Sequence, residues 1–344
     1  MDGFTKASVP KGARTLAQSY YVSAEIFKRE RERLFAHHWI CVGRSAQLAR
    51  AGQFFTCSVA DESLIVVRGD DAQIRAFYNV CRHRGTRLCT DSSGEFKATI
   101  QCPYHAWTYA LDGTLRFARN MAEVDDFRTS ECRLREARIC ELHGFLFANL
   151  EPHAAPLDAS LTIIGEKCAP WKPAQLPTVA RITYHVACNW KLVFQNYSEC
   201  YHCPVIHPQL EKISAWDSGR NDLLEGPVLG GYSVLRDAPL NENRVYYYTV
   251  FPSLLLSFHP DYIMVHYVQP LAADRTEVVC EWLSSKEVAS HVDFWDLTNR
   301  QDWAVNERTQ LGVASRAYEP GPYAQSEGLL YAFDRHYLAT LNQV

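Results

Sequence analysis

This sequence has almost no excess of charge of either sign. Its 344 residues contain 35 Lys and Arg against 39 Asp and Glu, which gives a formal net charge of -4 at pH 7. Surfaces that bind nucleic acid need a basic stripe or patch, and the sequence has no polybasic run. An acidic tail is absent as well. We therefore expect no nucleic-acid partner.

Long apolar runs are also missing. No stretch reaches the roughly 18 uninterrupted apolar residues that a membrane-spanning helix requires. The opening sequence, MDGFTKASVPKGARTLAQSYY, lacks the apolar core of a secretory signal. The composition thus predicts a soluble, cytoplasmic protein without a membrane partner.

Two further absences concern cofactor binding and architecture. No G-x-G-x-x-G motif follows a predicted strand, so the sequence has no signature for binding a nicotinamide or flavin dinucleotide. Neither an internal repeat nor a low-complexity tract is found. With 344 residues, of which 47% are hydrophobic, the chain is long enough for two ordinary globular domains with their own cores.

Cysteine, in contrast, is frequent, with 12 residues. In a long chain without a secretory signal, cysteines are expected to be thiols, some of them metal ligands. Most should pack as small hydrophobic side chains, and these are Cys41, Cys57, Cys89, Cys132, Cys140, Cys168, Cys188 and Cys280. Four lie near histidines, namely Cys81, Cys102, Cys200 and Cys203.

Residues 40–155 have the pattern of a small all-β domain. Short β-rich runs are separated by turn-forming residues, and Asp112-Gly113 is typical of a hairpin. Before this domain, Ser23 begins an amphipathic helical pattern that ends near His37. We expect the helical segment 1–39 to pack with the second domain.

A proline-rich stretch from Glu151 to Pro177 predicts the boundary of that second domain, 156–344. Four consecutive β-rich runs predict an antiparallel meander, and they are RVYYYTVFP, SLLLSFH, YIMVHYVQPL and TEVVCEWLSS. Helical patterns flank the meander at about 290–312 and 326–341. Because strands and helices are segregated, the predicted class is α+β, with an antiparallel sheet flanked by helices in a helix-grip arrangement.

Two cysteine–histidine pairs lie in the first domain. Cys81-x-His83 is followed by 18 residues and then by Cys102-x-x-His105, and each pair falls at the tip of a predicted strand-turn-strand. A tetrahedral zinc site could use two Cys and two His. Zinc fingers usually group Cys with Cys and His with His, however, whereas each half here contains one of each. A Rieske [2Fe-2S] cluster needs this mixed order, with two thiolates on one iron and two imidazoles on the other.

The motif CPYHAW resembles the second loop of Rieske proteins. The resemblance implies that Cys81 and Cys102 bind one iron of a [2Fe-2S] cluster and that His83 and His105 bind the other, with Trp107 beside the cluster. Zinc binding remains the alternative for this set.

A second set of metal-ligand types lies in NYSECYHCPVIHP of the second domain. Glu199 and His202 are three residues apart, a spacing that places them on one face of a helix. Pro204 and Pro208 disfavour a regular helix beyond that point, so His207 can turn to meet His202. Two imidazoles and one carboxylate form the facial triad that binds Fe(II) and leaves positions open for dioxygen and substrate. The two cysteines of this segment are expected to serve in packing or in lining a substrate pocket.

The triad's carboxylate is expected from the helical pattern FWDLTNRQDWAVNERTQLG, which contains Asp296, Asp302 and Glu307. Asp302 shares a face with Trp295 and Val305, whereas the other two carboxylates lie toward the polar side. Asp302 is therefore the predicted ligand, with Glu307 as the next choice.

The two groups of predicted metal ligands together resemble the metal-binding motifs of Rieske non-haem iron oxygenases. The resemblance extends over nearly the whole chain. The resemblance implies a terminal oxygenase with one [2Fe-2S] cluster and one mononuclear Fe(II) per subunit, the latter held by His202, His207 and Asp302. It further implies that Glu199 bridges between His202 and His105 of a neighbouring subunit, so a homotrimer is expected. Electrons for O2 activation are expected from a separate NAD(P)H-dependent reductase, with or without a ferredoxin.

The run NYSECYHC and the ending EPGPYAQSEGLLYAF look most like the branch that acts on quaternary ammonium compounds such as glycine betaine, stachydrine and carnitine. Aromatic faces bind trimethylammonium groups, and seven aromatic residues lie on or beside strands expected to line a pocket: Tyr232, Tyr246, Tyr248, Phe251, Phe258, Tyr262 and Tyr267. Core packing is the competing explanation for them. The alternative function is an aromatic-ring or aromatic-acid hydroxylating dioxygenase, in which these residues form an apolar slot. A Rieske electron carrier without oxygenase activity is a more remote alternative.

Overall fold

The chain folds into two compact units. One comprises Met1–Leu34 together with Asp158–Val344, and the other comprises Phe35–Leu157. The computed structural model describes residues 5, 6, 8–157, 159–236 and 243–343, so the remaining positions of the predicted segments 1–39 and 156–344 lie outside the described residues. Within those described ranges, no helix is both long enough and apolar enough to cross a membrane.

The unit Phe35–Leu157 consists of short strands. They are β1 (Ile40–Arg44), β2 (Gln53–Val59), β3 (Glu62–Arg68), β4 (Ile74–Tyr78), β5 (Ser93–Glu95), β6 (Thr99–Gln101), β7 (Thr108–Ala110), β8 (Leu115–Phe117), β9 (Glu136–Leu142) and β10 (Phe145–Asn149). Seven form an antiparallel sheet of order β1-β10-β9-β4-β3-β2-β5, and β6-β7-β8 form a second antiparallel sheet. Two 3-10 turns, Ser45–Leu48 and Thr129–Cys132, complete the unit.

The core of this unit extends from the sheet into the loops that carry the cysteine–histidine pairs. Ile65 and Val67 of β3 are fully buried and belong to the same cluster as Cys81, Cys102 and Trp107. Burial of apolar side chains along β3 drives the packing. It also anchors both loops to the sheet, which positions their ligand-type side chains.

Helices and a larger sheet make up the other unit. The helices are α1 (Ser19–Val22), α2 (Ala24–Arg29), continued by a π-helical segment (Glu30–Phe35), α3 (Ala159–Cys168), α4 (Trp190–Tyr197), α5 (Cys203–Ile206), α6 (Pro208–Ile213), α7 (Ala289–Val313) and α8 (Gly328–Gln343). Short 3-10 turns lie at Ala169–Trp171, Pro173–Gln175 and Gln325–Glu327. The strands are β11 (Thr178–Val186), β12 (Arg220–Leu223), β13 (Val228–Val234), β14 (Arg244–Val250), β15 (Leu254–Phe258), β16 (Ile263–Ala272) and β17 (Arg275–Leu283). They form an antiparallel sheet of order β11-β17-β16-β15-β14-β13-β12.

Helix α4 is buried against α7, α8 and strand β16. A buried ion pair lies at its start, where Lys191 Nζ is 2.6 Å from Glu30 Oε1 and both side chains are at most 1% exposed. Trp190 and Tyr337 also donate hydrogen bonds to the Glu30 carboxylate. Because a buried charge is costly unless it is fully paired, this network fixes α4 to the segment that follows α2.

The predicted fold class is confirmed, with an all-β unit and an α+β unit built on an antiparallel sheet. The four predicted β-rich runs correspond to β14–β17, and the two predicted helices correspond to α7 and α8. Strands β12 and β13 are absent from the sequence prediction because Gly230 and Gly231 interrupt the β pattern. Strands β13 and β14 approach closely at this point. A Cβ atom at Gly230 would lie 1.9 Å from the Tyr247 carbonyl oxygen, so only glycine fits.

Candidate metal centres and cavity

The first set of ligand-type residues lies on two loops of the unit Phe35–Leu157. Cys81 and His83 follow β4, whereas Cys102 and His105 lie between β6 and β7. Both cysteines are 3% exposed, His83 is exposed and His105 is half-buried. A group held by all four would therefore be buried on its sulfur side and accessible on its imidazole side.

Hydrogen bonds within each loop hold the two pairs in place. Oδ1 of buried Asn79 accepts from the backbone N–H groups of Leu88 and Cys89, both at 2.9 Å, and Nδ2 donates to the Cys89 carbonyl at 2.6 Å. In the second loop, the Cys102 N–H donates to the Trp107 carbonyl at 2.8 Å. These bonds satisfy backbone groups that would otherwise be buried without partners.

Aromatic side chains surround the two pairs. The His83 ring stacks on Trp107, with centroids 4.8 Å apart and an interplanar angle of 10°, and lies 4.8 Å from the His105 ring. The Tyr109 hydroxyl is 3.3 Å from Cys81 Sγ and accepts a hydrogen bond from the next backbone N–H at 3.0 Å. With its oxygen occupied as an acceptor there, the tyrosine can donate its own proton to the sulfur.

The chemistry of this set fits an iron-sulfur cluster better than a single ion. Partial desolvation by its neighbours, together with the nearby His105 and Arg84, lowers the pKa of the His83 imidazole, which keeps the ring neutral as a ligand must be. Burial raises the pKa of the Cys81 thiol, so a bound metal must displace its proton. In the described part of the chain, these four residues do not form a group that converges on one ion. A tetrahedral zinc site requires that convergence.

The second set lies in the segment between α4 and α6. Helix α4 ends at Tyr197, so Glu199 and His202 lie in a turn and not on a helical face, which corrects the sequence prediction. Pro204 and Pro208 lie in the first turn of short helices α5 and α6, where proline's missing N–H costs nothing. Each histidine directly precedes one of these helices.

Three ligand-type side chains of this unit converge. Asp302 Oδ1 lies 2.8 Å from His207 Nε2 and 3.3 Å from His202 Nε2, and the ligand atoms of all three lie within 4.8 Å of one another. Asp302 is on α7, as the sequence predicts. The competing carboxylates lie elsewhere, since Asp296 accepts a hydrogen bond from Tyr184 and Glu307 accepts one from the Ala187 backbone.

Each histidine has an acceptor at its other ring nitrogen. Glu199 Oε1 accepts a hydrogen bond from His202 Nδ1, and Gln301 Oε1 lies 2.8 Å from His207 Nδ1. Gln209 Nε2 donates to the same Gln301 oxygen at 2.7 Å, which fixes the amide orientation. Since both partners accept, each Nδ1 carries a proton, and Nε2 is the nitrogen left for a metal ion, which would displace any proton held there.

The carboxylates of Asp302 and Glu199 favour positive charge at the place where the three side chains converge. Burial lowers the pKa of His202, but hydrogen bonds to Asp302 and Glu199 outweigh burial and raise the pKa to about 10. Burial raises the pKa of Asp302, and the two histidines outweigh it, so the net shift is downward. A divalent metal ion supplies positive charge at the same place, and the donor set of two imidazoles and one carboxylate fits non-haem Fe(II).

A cavity of about 350 Å³ adjoins these three residues. Its wall contains five large aromatic side chains, which are Tyr197, Trp216, Tyr232, Tyr247 and Trp295. Of the seven aromatic residues expected from the sequence, Tyr232 is the one in this wall. Side chains alternate along a strand, so Tyr247 and Thr249 of β14 face the cavity and Tyr246 and Tyr248 do not. Core packing is thus the better account of most of the seven.

Carboxylates predominate among the charged residues of the described cavity wall. Glu199, Asp217 and Asp302 line it, against one cation, Lys6. Asp302 and Glu199 belong to the metal site, where a bound divalent ion would offset their charge, so Asp217 and Lys6 are the other charged residues of the described wall.

Cys200 and Cys203 form a disulfide, with Cα atoms 4.9 Å apart. The expectation of two thiols is therefore wrong for this pair, although both residues line the cavity as expected. The turn after α4 brings the two positions within the range of about 4.4–6.8 Å that a disulfide spans. The other ten cysteines, including Cys81 and Cys102, form no disulfide.

The sequence interpretation missed several residues of the site. Gln301 precedes Asp302, but an amide on a helix gives no periodic signal of a role. His266 and Asn299 also line the cavity. A signal for His266 was present, because a histidine inside the apolar run YIMVHYV is an unusual polar residue on a strand with buried neighbours.

Comparison with known families agrees with the two units. Residues 38–128 match the Rieske [2Fe-2S] domain, and residues 173–343 match the ring-hydroxylating alpha subunit (catalytic domain). The predicted cluster ligands lie in the region that matches the Rieske domain, and they are Cys81, His83, Cys102 and His105. Glu199, His202, His207 and Asp302 lie in the region that matches the catalytic domain.

Individual relatives show the same family. The glycine betaine monooxygenase oxygenase subunit of Chromohalobacter salexigens is 30% identical over 375 residues, which cover 92% of this chain and 83% of that protein. The carnitine monooxygenase oxygenase subunit of Escherichia coli (strain K12) is 41% identical over 201 residues, covering 58% of this chain and 54% of that protein.

A solved structure of the quaternary ammonium Rieske monooxygenase CntA, described as giving insights into carnitine oxidation by gut microbiota and inter-subunit electron transfer, is also similar. It matches with a TM-score of 0.85 at 27% identity, over 98% of this chain and 100% of that chain. The chain therefore belongs to the Rieske-type oxygenases, as an oxygenase alpha subunit homologous to the quaternary ammonium monooxygenases.

Proposed function

We propose that this chain is the terminal oxygenase of a multicomponent system that hydroxylates or N-demethylates a quaternary ammonium compound. The observation that carries the proposal is the convergence of His202, His207 and Asp302 beside a cavity lined by aromatic and acidic side chains. The converging residues support oxygen chemistry at a metal, and the wall supports the class of substrate.

Each subunit holds one Rieske cluster and one mononuclear Fe(II) in this proposal. Cys81 and Cys102 bind one iron of the cluster, and His83 and His105 bind the other. When bound, the cluster supplies electrons one at a time, and the mononuclear iron supplies positions at which dioxygen and substrate meet.

The chain's own residues orient the ligands. Glu199 holds the Nδ1 proton of His202, and its other oxygen accepts the His202 backbone N–H at 3.2 Å, so the carboxylate is fixed at two points. We assign Glu199 to the electron path between His202 and His105 of a neighbouring subunit. A homotrimer supplies that neighbour, and the description of CntA in terms of inter-subunit electron transfer supports the assignment.

The electron donor is a separate protein. Oxygenase subunits of Rieske systems need a reductase and O2, and this sequence has no dinucleotide-binding signature after a strand. The reductase of the proposal uses NAD(P)H, with or without a ferredoxin between the two proteins.

The substrate class follows from the cavity wall. Aromatic rings attract trimethylammonium groups, and Trp216 and Tyr247 lie in the wall together with Tyr232, on whose ring the Arg244 guanidinium already stacks 4.1 Å from the centroid. The names of the relatives, which refer to glycine betaine and carnitine, agree with this chemistry.

Metal analysis tests the centres. Purified protein should contain acid-labile sulfide together with three irons per chain, two in the cluster and one mononuclear. His202→Ala should retain the Rieske EPR signal and lose turnover together with one iron. The matched control is His185→Ala, since the His185 side chain is 74% exposed and lies outside the cavity wall. Zinc without sulfide would refute the cluster.

A substrate panel tests the reaction. Dithionite-reduced protein is exposed to O2 in a single turnover with betaines or with aromatic acids. Formaldehyde or a hydroxylated product from a quaternary ammonium compound is the expected result, whereas a hydroxylated ring from an aromatic acid would establish the alternative function.

The bridge is tested by Glu199→Gln, which should keep both metal centres but slow reoxidation of the cluster by at least about ten-fold, as expected for loss of a carboxylate that orients a ligand. Glu277→Gln, at a partly exposed carboxylate that pairs with His185 outside the cavity wall, is the control. Full activity of Glu199→Gln would refute the bridge assignment.

A further inference from the structure

Two residues near the start of the chain, Thr5 and Val9, are tied to the wall of the cavity. Thr5 pairs with Asn221 of β12 through two backbone hydrogen bonds, of 2.7 and 2.6 Å. The Val9 N–H donates to Gln325 Oε1 at 3.4 Å, and Gln325 Nε2 donates to the Val9 carbonyl at 3.1 Å. Asn221 and Gln325 both line the cavity. Lys6 therefore lies between two anchors that are fixed to the same wall.

The side chain of Lys6 is itself part of that wall. It is exposed, and among the described residues it forms no ion pair. The backbone bonds of Thr5 hold its position, whereas a lysine ammonium sits on a flexible four-carbon stem and has three donors. Lys6 can therefore turn its positive charge toward a molecule that enters the cavity.

The balance of charge in the wall indicates what kind of group would meet Lys6. A divalent ion at the metal site would offset Asp302 and Glu199, which leaves Lys6 and Asp217 as the other charged residues of the described wall. These two do not pair with each other. The wall thus offers one positive and one negative side chain to a ligand, and a molecule with one charge of each sign matches it.

A ligand with only a positive charge would fit this wall less well. Its quaternary ammonium group would be repelled by Lys6, and the lysine would gain no partner from it. A carboxylate on the same ligand reverses this balance, because it can accept hydrogen bonds from the ammonium group. Lys6 is exposed and the metal-ligand residue His207 is 1% exposed. A carboxylate held by Lys6 therefore lies at the opening and leaves the other end of the ligand to enter the cavity.

We propose that Lys6 is a specificity-determining residue that pairs with a carboxylate group of the bound substrate. The inference rests on the proposed function, which supplies the quaternary ammonium group. It narrows the substrate to zwitterionic compounds that carry a carboxylate and a quaternary ammonium group on one molecule. Quaternary ammonium alcohols, which have no negative charge, should bind less well.

The test compares ligands that differ in one negative charge. Glycine betaine is paired with its primary amide, and gamma-butyrobetaine with its own, because an amide has nearly the shape of a carboxylate but no charge. Calorimetry on the anaerobic holoenzyme gives the dissociation constants. In the pair that binds more tightly, the wild-type protein should prefer the carboxylate about five-fold, as expected for an ion pair accessible to solvent.

Three variants of Lys6 vary the charge at this position. Lys6→Met keeps a long side chain without charge, and its preference for the carboxylate should fall to within about two-fold. Lys6→Glu places a negative charge there, so it should bind the amide more tightly than the carboxylate. Lys6→Arg keeps the positive charge and should retain the wild-type preference to within about two-fold.

Lys11→Met is the matched control, because Lys11 is also an exposed lysine near the start of the chain but is not among the described residues of the cavity wall. It should keep the wild-type preference. If Lys11→Met lost the preference as Lys6→Met does, the effect would come from the overall surface charge and the inference would be wrong.

Equal binding of carboxylate and amide by the wild-type protein would overturn the inference, and so would a full wild-type preference in Lys6→Met. Loss of the preference in Lys6→Arg would point to the shape of the side chain and not to its charge, which also contradicts it. Failure of the proposed function looks different, since the wild-type protein would then bind none of the four compounds and convert no betaine, and the inference would fail with it.

Discussion

Gln301 Oε1 lies 2.8 Å from Nδ1 of His207, on the side of the ring opposite Asp302. An acceptor in this position keeps the proton on Nδ1 and aims Nε2 at the metal site. Gln301→Leu should therefore lower the affinity for mononuclear iron about 10- to 100-fold and leave the visible spectrum of the cluster unchanged. Iron titration of metal-depleted protein provides the measurement.

Gln301→Glu is the control for this change, because a carboxylate oxygen still accepts from His207 and from Gln209. It should bind iron as the wild-type protein does. Equal affinities of the leucine variant and the wild-type protein would show that Gln301 does not orient the ligand.

The hydroxyl of Tyr109 next to Cys81 Sγ should tune the cluster. A hydrogen bond to a ligand sulfur stabilises the more negative, reduced state, so its removal lowers the reduction potential. For a bond worth about 1 kcal/mol, Tyr109→Phe should lower the potential by on the order of 40 mV in a one-electron couple. Redox titration followed by EPR measures this shift.

Tyr104→Phe is a suitable comparison, because Tyr104 is 57% exposed and packs on the His105 ring. It should leave the potential within about 10 mV of the wild-type value. A shift of similar size in both variants would mean that the Tyr109 hydroxyl has no specific effect on the sulfur.

Asp334 should make the stability of the catalytic unit depend on pH. Burial raises its pKa to about 7, although Tyr323 and Gln195 oppose the shift by donating hydrogen bonds to the carboxylate. In the unfolded chain an aspartate has a pKa of about 3.9. Between these two values the unfolded state has lost the proton and the folded state keeps it, so the free energy of unfolding falls as pH rises from about 4 to 7.

Asp334→Asn removes this dependence. The free energy of unfolding of the variant minus that of the wild-type protein should therefore increase between about pH 4 and pH 7. The increase is up to about 4 kcal/mol, because the pKa differs by about three units between the folded and unfolded states and each unit corresponds to 1.36 kcal/mol. Thermal denaturation at several pH values measures it, with the exposed Asp293→Asn as control. A difference in Tm that is constant from pH 4 to pH 8 would refute the prediction.

The buried pair of Lys191 and Glu30 should be costly to break. Lys191→Met leaves the Glu30 charge buried without its partner, and such changes typically cost about 3–5 kcal/mol. The comparison is Lys28→Met at the exposed pair of Lys28 and Glu32, which should cost less than about 1 kcal/mol. Chemical denaturation gives both values. If the double variant Glu30→Gln with Lys191→Met lost as much as the sum of the single variants, the two residues would not be coupled.

Local patterns carried most of what could be predicted. Cys81 with His83, and Cys102 with His105, are neighbours along the chain, so their spacing shows directly in the sequence. Asp302 is remote from the histidines, yet the 3.6-residue period placed it on the inner face of α7. The structure brings it to His202 and His207, while the metal-binding roles stay predictions.

Features that depend on the path of the chain could not be predicted. The disulfide of Cys200 and Cys203 depends on the turn after α4, and no signal in the sequence marks where that helix ends. The direction of the tyrosines on β14 was equally hidden, because three in succession fit either orientation of the strand. Register against β13 and β15 decides which of them faces the cavity.

Helix α7 carries Asn299, Gln301 and Asp302 within one turn. One rigid element therefore sets three separate distances, to His266 in the cavity wall, to the ring of His207 and to the metal site. Inserting or deleting a residue upstream in this helix would rotate all three side chains by about 100° together. Insertions and deletions that alter the substrate range are therefore confined to the strands and loops that face α7. The helix lines the cavity with Trp295, Thr298 and Asn299, and it can alter the pocket only by exchange of side chains at constant length.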